Sequence, residues 1–239
     1  MAITADMLSV EIFADGADKT AILDLAKHPL VRGFTTNPTL MRQAGVTDYE
    51  AFATDILSAI DDRPISFEVF SDDFEEMYVQ ACKIATWGDN VFVKIPVTNT
   101  KGESSVPLIR SLALDRVHMN VTALFTEAQI EAVSDALADA PSSNISVFAG
   151  RIADAGGDPL PVMQRALDIM RPYPQQRLIW ASPREVYNVV QADMIGCHII
   201  TVTRDLIAKL SSLGRDLEEF SLDTVKMFRR DAVSAGYSL

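Results

Sequence analysis

The chain has very little cysteine, histidine or basic charge, and each shortage excludes something. Its two cysteines, Cys82 and Cys197, lie far apart, with no Cys-x-x-Cys and no metal-ligand spacing. They read as small core residues, reduced as in a cytosol, and not as a disulfide framework. The three histidines, His28, His118 and His198, have no spacing that would build a metal site, so each reads as a satisfied structural residue. His118 shares its side with Asn120, so a place lining the cavity is the lesser alternative for it. Acidic residues outnumber basic ones 33 to 21, a formal net charge of -12. Such a field argues against a nucleic-acid or anionic-membrane partner, and any anionic substrate must meet locally placed arginines. No apolar run reaches the length of a membrane span. The first residues lack a basic stretch followed by an apolar one, so no membrane association and cytoplasmic residence are expected. No strand-to-helix turn carries a Gly-x-Gly-x-x-Gly or Walker-type loop, which disfavours a doubly wound nucleotide-binding sheet.

What the chain does have is a regular alternation. Hydrophobic residues make up 48% of its 239 positions, enough for a sizeable core. Eight short β-rich runs recur, at Ser9–Ala14, Arg32–Thr36, Ile65–Phe70, Val91–Val97, Arg116–Val121, Ile145–Ala149, Arg177–Ala181 and Cys197–Thr203. Helical spacing fills the gaps. In Thr47–Asp62 the residues Tyr49, Phe52, Ala53, Ile56, Leu57 and Ile60 fall on one face. Thr47 with Glu50, and Thr126 with Gln129, fit capping boxes. Asp72–Trp87 places Phe74, Met77, Tyr78, Ala81 and Ala85 on one side. Eight strands alternating with helices, with no long linker, predict an α/β fold: a single (β/α)8 barrel, a class whose usual size is about 250 residues. Residues 214–239 read as a helical tail beyond the barrel.

Chemistry in such a barrel sits at the C-terminal ends of the strands. The most informative residue is Lys94, near the end of the run Val-Phe-Val-Lys-Ile-Pro. A central strand has no structural use for an ammonium group, and one that gives up its proton becomes nucleophilic toward a carbonyl. Lys94 is therefore a candidate Schiff-base lysine, with an inert buried ion pair as the plain alternative. Other strand ends add Asp15, Asn37, Glu68, Asn120 with Thr122, Ser146 with Phe148 and, just beyond, Arg151, Ser182 and Arg184. Each has a plain alternative as well: Asp15 as a helix cap, Asn37 as a turn former, Glu68 as Lys94's partner, the arginines as solvated charges. Their convergence on one barrel mouth favours a joint functional reading.

The motifs Gly33-Phe-Thr-Thr-Asn-Pro-Thr, Val93-Lys-Ile-Pro-Val-Thr, Asn120-Val-Thr-Ala-Leu-Phe-Thr-Glu-Ala-Gln, Ser146-Val-Phe-Ala-Gly-Arg-Ile and Ala181-Ser-Pro-Arg resemble those of the transaldolase family, in its compact, fructose-6-phosphate aldolase-like branch. The likeness spans Asp15 to about Thr203. It implies that Lys94 attacks a ketose C2 carbonyl, that Glu68 moves protons through a water held by Thr122, and that Asp15 takes the C4 hydroxyl proton. It further implies that Asn37, Asn120 and Ser146 hold the retained dihydroxyacetone unit. Arg151, Ser182 and Arg184 would bind a terminal phosphate, and no metal or organic cofactor would be needed. Glu68 and Phe148 resemble a true transaldolase, since the aldolase branch typically has Gln and Tyr there; a simple lyase is the runner-up. The natural donor remains open between an ordinary sugar phosphate and a modified ketose carrying another anion, such as a sulfonate. A sugar-phosphate-binding barrel without catalysis, or a metal-dependent isomerase with Glu68 as base, are the readings from other classes. The tail resembles segments by which compact relatives exchange helices, which implies a homo-oligomer.

Overall fold

A computed structural model describes residues 3–238. Within it the alternation closes on itself. Eight parallel strands, β1 (Glu11–Asp15), β2 (Val31–Thr35), β3 (Ile65–Glu68), β4 (Val91–Pro96), β5 (Met119–Leu124), β6 (Ser143–Val147), β7 (Gln176–Trp180) and β8 (Ile199–Thr203), pair in sequence order. β1 pairs with β8 to complete a barrel. Helices α1 (Lys19–Leu25), α2 (Pro38–Gln43), α3 (Tyr49–Leu57), α4 (Phe74–Ala85), α5 (Val106–Leu114) and α6 (Glu127–Ala136) follow the first five strands. α7 (Ala149–Asp154), α8 (Pro159–Met170), α9 (Tyr187–Met194), α10 (Arg204–Lys209) and α11 (Leu217–Ser234) complete the chain. This is the (β/α)8 barrel that the alternation predicts.

Two apolar compartments hold it together. Ile65, Val93, Val121, Ile145 and Leu178 point outward from the strands and are wholly buried beneath the helices, with Ile109, Ile130 and Met163 among the helix residues they join. The barrel interior carries a much smaller cluster, Phe13, Ile179 and Ile199. Each lies two residues before a residue at the mouth, Asp15, Ala181 and Thr201, so the period-two alternation puts them one layer below it. A Cβ on Gly33 would meet the Phe13 ring at 2.6 Å, so glycine there leaves room for that ring.

Several expected boundaries shift. β5 starts at Met119, because Arg116, at φ 63°, belongs to the turn before it. β6 ends at Val147, and Ala149 already opens α7. β3 stops at Glu68, and β8 starts at Ile199. Thr126 and Gln129 form the expected capping box, but Thr47 and Glu50 do not: α3 is capped by Asp48, whose carboxylate accepts from the Ala51 amide. One residue's difference in register is enough, because Asp serves as well as Thr at that position. Tyr78 lies at the edge of the α4 stripe and is exposed, its place on the buried face taken by Ile84. The tail is one helix, α11, in which no residue is buried. Among the described residues, no helix is long and apolar enough to cross a membrane.

Candidate active site

The strand ends open into a cavity of 490 Å³. Its wall includes Asp15, Glu68, Lys94 and Thr122, together with Asn37, Ser146, Phe148, Arg151 and Ser182. Nine of the eleven residues singled out in the sequence therefore meet at one place. The other two, Asn120 and Arg184, lie just behind it.

Barrel register builds the reactive side. Glu68 on β3 is paired with Lys94 on β4, and side chains at equivalent register on neighbouring strands share a face. Lys94 is 7% exposed. Its Nζ lies 3.4 Å from Glu68 Oε2 and donates to the Thr36 carbonyl at 3.0 Å. Burial pushes the Glu68 carboxyl up from the usual range against the pull of Lys94, and the nearby Asp15 charge pushes the same way. Asp15 is paired in register with Thr35, whose Oγ1 donates to Asp15 Oδ1 at 2.8 Å and also bonds Thr201. Burial raises the Asp15 carboxyl as well, opposed by Lys94 and by the Thr35 hydroxyl. Two acids that resist ionisation thus stand beside one buried amine, an arrangement with the chemistry to pass protons between groups.

The floor is a relay of neutral donors and acceptors. Ser146 Oγ donates to Asn120 Oδ1 at 2.7 Å, and Asn120 Nδ2 donates to Ser66 Oγ at 3.0 Å. Asn120 is fully buried and reaches the cavity through Ser146. Thr122 Oγ1 is buried with no partner. Thr122 is a wall residue, and a hydroxyl left unsatisfied there costs free energy unless a water or a substrate oxygen meets it. Asn37 fills both roles considered for it: its Oδ1 caps α2 by accepting the Leu40 amide at 3.0 Å, while the residue also lines the cavity.

The far side is open and cationic. The Arg151 guanidinium sits 5.1 Å from the centroid of the Phe148 ring, which packs in turn on Phe125 at 5.6 Å. A Cβ on Gly150 would come within 1.6 Å of the Ser182 carbonyl oxygen. Glycine thus lets α7 press against the β7–α9 loop and sets Arg151 beside Ser182. Ser182 itself has φ 62° and Ala123, another wall residue, φ 64°; strained backbone of this kind collects at functional sites. Arg184 is held beside the wall: its Nε donates to both carboxylate oxygens of Asp154 at 3.0 Å, and Nη1 donates to the wall residue Ser182 at its Oγ, also at 3.0 Å. Asp154 is held below the usual carboxylate range by that guanidinium.

Thr35 and Thr201 on the wall, and Asp154 beside it, are not singled out by the sequence pattern. Thr35 was within view in the Thr-Thr-Asn-Pro run, two residues before Asn37 and so pointing to the same side. Asp154 stands three residues beyond Arg151, one helical turn away. His118 packs on Phe92 with ring centroids 5.3 Å apart and touches the Ser142 carbonyl, outside the cavity wall. Among the described residues, no three His, Cys, Asp or Glu side chains gather as a metal-binding group.

The model of the family described as transaldolase/fructose-6-phosphate aldolase matches residues 12–239. The chain belongs to that family. A probable transaldolase of Dehalococcoides mccartyi is 33% identical over 202 residues, covering 84% of this chain and 90% of that protein. A probable transaldolase of Streptococcus equi subsp. zooepidemicus is 35% identical over 204 residues, with the same coverage of 84% and 90%. These relatives support an enzyme of the aldolase or transaldolase type. Among solved structures, KGPDC from Streptococcus mutans aligns with TM-score 0.58 at 14% identity, over 86% of this chain and 94% of that one. A mandelate oxidase aligns with TM-score 0.55 at 12% identity, over 86% and 67%. At such identities the likeness is one of fold alone.

Proposed function

We propose that the protein is a transaldolase that moves a dihydroxyacetone unit from a ketose phosphate, such as sedoheptulose 7-phosphate or fructose 6-phosphate, to an aldose phosphate through a Schiff base on Lys94. The observation that carries this reading is the buried Lys94 amine with Glu68 and Asp15 on one cavity wall, both carboxyls raised by burial. Lys94 Nζ attacks the C2 carbonyl, and the resulting carbinolamine loses water with Glu68 moving the protons through a water on Thr122. Asp15 then takes the C4 hydroxyl proton. The C4–O bond becomes a carbonyl, the C3–C4 bond breaks, and its electron pair passes into the protonated imine to leave an enamine on Lys94. Addition of the acceptor aldehyde and hydrolysis of the imine reverse these steps. Ser146, backed by Asn120, and Asn37 bind the retained three carbons, while Arg151 and Ser182 receive the anionic end.

Phe148 supports transfer over simple cleavage. It presents a hydrocarbon ring and no hydroxyl to the cavity, so it gives the enamine no proton and the three-carbon unit waits for an acceptor. Assembly into a homo-oligomer is supported by α11, which exposes Leu217, Leu222, Val225 and Phe228 and buries nothing within the chain. The reading places the enzyme in the cytoplasm.

The test is borohydride trapping with fructose 6-phosphate, followed by peptide mass mapping. A reduced three-carbon adduct on Lys94, absent in Lys94→Met, is expected. No adduct from any of a panel of ketoses, phosphorylated or sulfonated, would sink the mechanism.

A further inference from the structure

The residue that bears one of the two acids sits where the barrel wall comes apart. β2 and β3 share only two register pairs, Phe34 with Ile65 and Thr35 with Ser66. The last backbone bond across that seam runs from the Thr36 amide to the Ser66 carbonyl at 3.2 Å. Beyond it Glu68 has no strand on its β2 side, yet buried backbone groups must find partners. Both partners are one atom. The Tyr49 hydroxyl, from the first residue of α3, accepts from the Glu68 amide at 2.8 Å and donates to the Glu68 carbonyl at 2.8 Å. On the opposite edge, Glu68 is in register with Lys94, and the Val69 amide donates to the Lys94 carbonyl at 3.1 Å. The Tyr49 ring is gripped in turn. It meets Phe67 and Phe70 edge-on, with centroids at 6.3 and 5.6 Å, and tilts against Trp87 at 5.7 Å. Burial pushes the phenol up from its ordinary pKa, which keeps the proton it needs to serve both backbone groups at once.

We propose that Tyr49 is a positioning residue for the reaction: its hydroxyl replaces the missing strand pairing and fixes the Glu68 backbone, so that the carboxylate stays beside Lys94. The proposal rests on the catalytic reading of Lys94 and Glu68 given above. It adds a residue that touches neither substrate nor amine, on the helix that precedes β3.

Tyr49→Phe removes one oxygen and leaves the aromatic contacts in place. With fructose 6-phosphate as donor and erythrose 4-phosphate as acceptor, kcat is expected to fall about tenfold or more, since small misplacements of a reacting group carry such costs. KM is expected to hold within about twofold, a split that marks loss of transition-state rather than uniform binding. The acid limb of the kcat profile moves down toward the ordinary carboxylate range, because a loosened strand end admits water to Glu68. Tyr78→Phe is the control: Tyr78 is an exposed tyrosine whose hydroxyl donates to Asp115, and its loss leaves kcat and the limb unchanged. Wild-type kcat and an unmoved limb in Tyr49→Phe overturn the proposal, whatever happens to the melting temperature. Hydrogen exchange on the wild-type protein tests it without any variant: the Glu68 amide should be protected to the same degree as the Phe67 amide, and free exchange also overturns it. If Lys94→Met keeps full activity, the catalytic reading itself has failed. An adduct on Lys94 that forms at the wild-type rate in Tyr49→Phe, with normal turnover, removes the positioning role alone.

Discussion

Two ion pairs stand at the same barrel mouth and behave in opposite ways. Glu68 and Lys94 approach to 3.4 Å with side chains 16% and 9% exposed. Asp154 and Arg184, on the other side of the cavity, have side chains 52% and 45% exposed. Both join a carboxylate to a cation, yet the Glu68 carboxyl is pushed up and the Asp154 carboxyl is held down. Water makes the difference. Where solvent is excluded, desolvation exceeds what the partner charge returns, and the carboxyl holds its proton more readily. Where solvent remains, the partner's hydrogen bonds decide the sign, and the pair orients side chains while adding little to stability. Asp15, Glu68 and Lys94 all come from β1 to β4, whereas Asp154 and Arg184 come from segments beyond β6.

The largest expected effects come from splitting the buried set. Glu68→Gln and Asp15→Asn each remove a proton-transfer group, and each should lower kcat by about 10²- to 10⁴-fold. Their stabilities should part. Asn at position 15 still accepts from Thr35 and removes a carboxylate that burial disfavours, while Glu68 remains beside Lys94. Asp15→Asn is therefore expected to stabilise the fold by about 0.5–2 kcal/mol, the usual scale for relieving strain stored at a functional site. Glu68→Gln leaves the Lys94 amine without its close carboxylate and is expected to destabilise. Urea unfolding of the two variants measures the split, and a shift of the same sign in both would break the contrast drawn between them.

pH gives the next test. Because the folded pKa values of Asp15 and Glu68 are raised, folding takes up protons there. The stability these two groups contribute is fully present below the ordinary carboxylate pKa and is lost as pH rises through their raised folded values. Asp62, Asp72, Asp154 and Asp223 are shifted down. Their contribution runs the other way: it is present above the ordinary carboxylate pKa and lost as pH falls through the depressed values. Stability should therefore peak in the mildly acidic range, and Asp15→Asn should flatten its decline toward neutrality. Activity needs the acids ionised for part of the cycle, so kcat should fall as pH drops through the same raised values. Thermal unfolding and kcat measured in parallel across pH should give opposing slopes there; parallel slopes would refute the assignment.

The barrel and most of its mouth were legible because both follow from short-range pattern. Alternating β-rich runs and helical stripes leave few topologies, and a lysine in a strand such as Val-Phe-Val-Lys-Ile-Pro is visible without any partner. Asp48 as the cap of α3 was missed because two residue types suit that position and a one-residue shift separates them. The Tyr49 hydroxyl was hidden for a different reason: by spacing, Tyr49 belongs to the apolar stripe of α3, and nothing in that stripe reveals a gap between β2 and β3. The motif Ala-Ser-Pro-Arg points Arg184 toward an anion but carries no sign of its carboxylate partner. The structure puts Asp154 against it, a contact across thirty residues that no local pattern encodes.

That contact supplies the smallest expected effect and the finest test of the comparison. Asp154 offsets the charge of Arg184 and leaves Arg151 as the guanidinium on the cavity wall. Asp154→Asn keeps the side chain's shape and removes its charge, so Arg184 becomes free to turn toward a bound phosphate while still able to donate to Ser182. KM for fructose 6-phosphate is expected to fall roughly two- to fivefold, the scale of an exposed ion pair, with kcat and melting temperature unchanged. The gain should shrink as salt is added, because exposed charges are screened over about 10 Å at 0.1 M ionic strength. A rise in KM would mean that Asp154 holds Arg184 where the substrate needs it, so that the exposed pair, like the buried one, is part of the reaction and not a brake on binding.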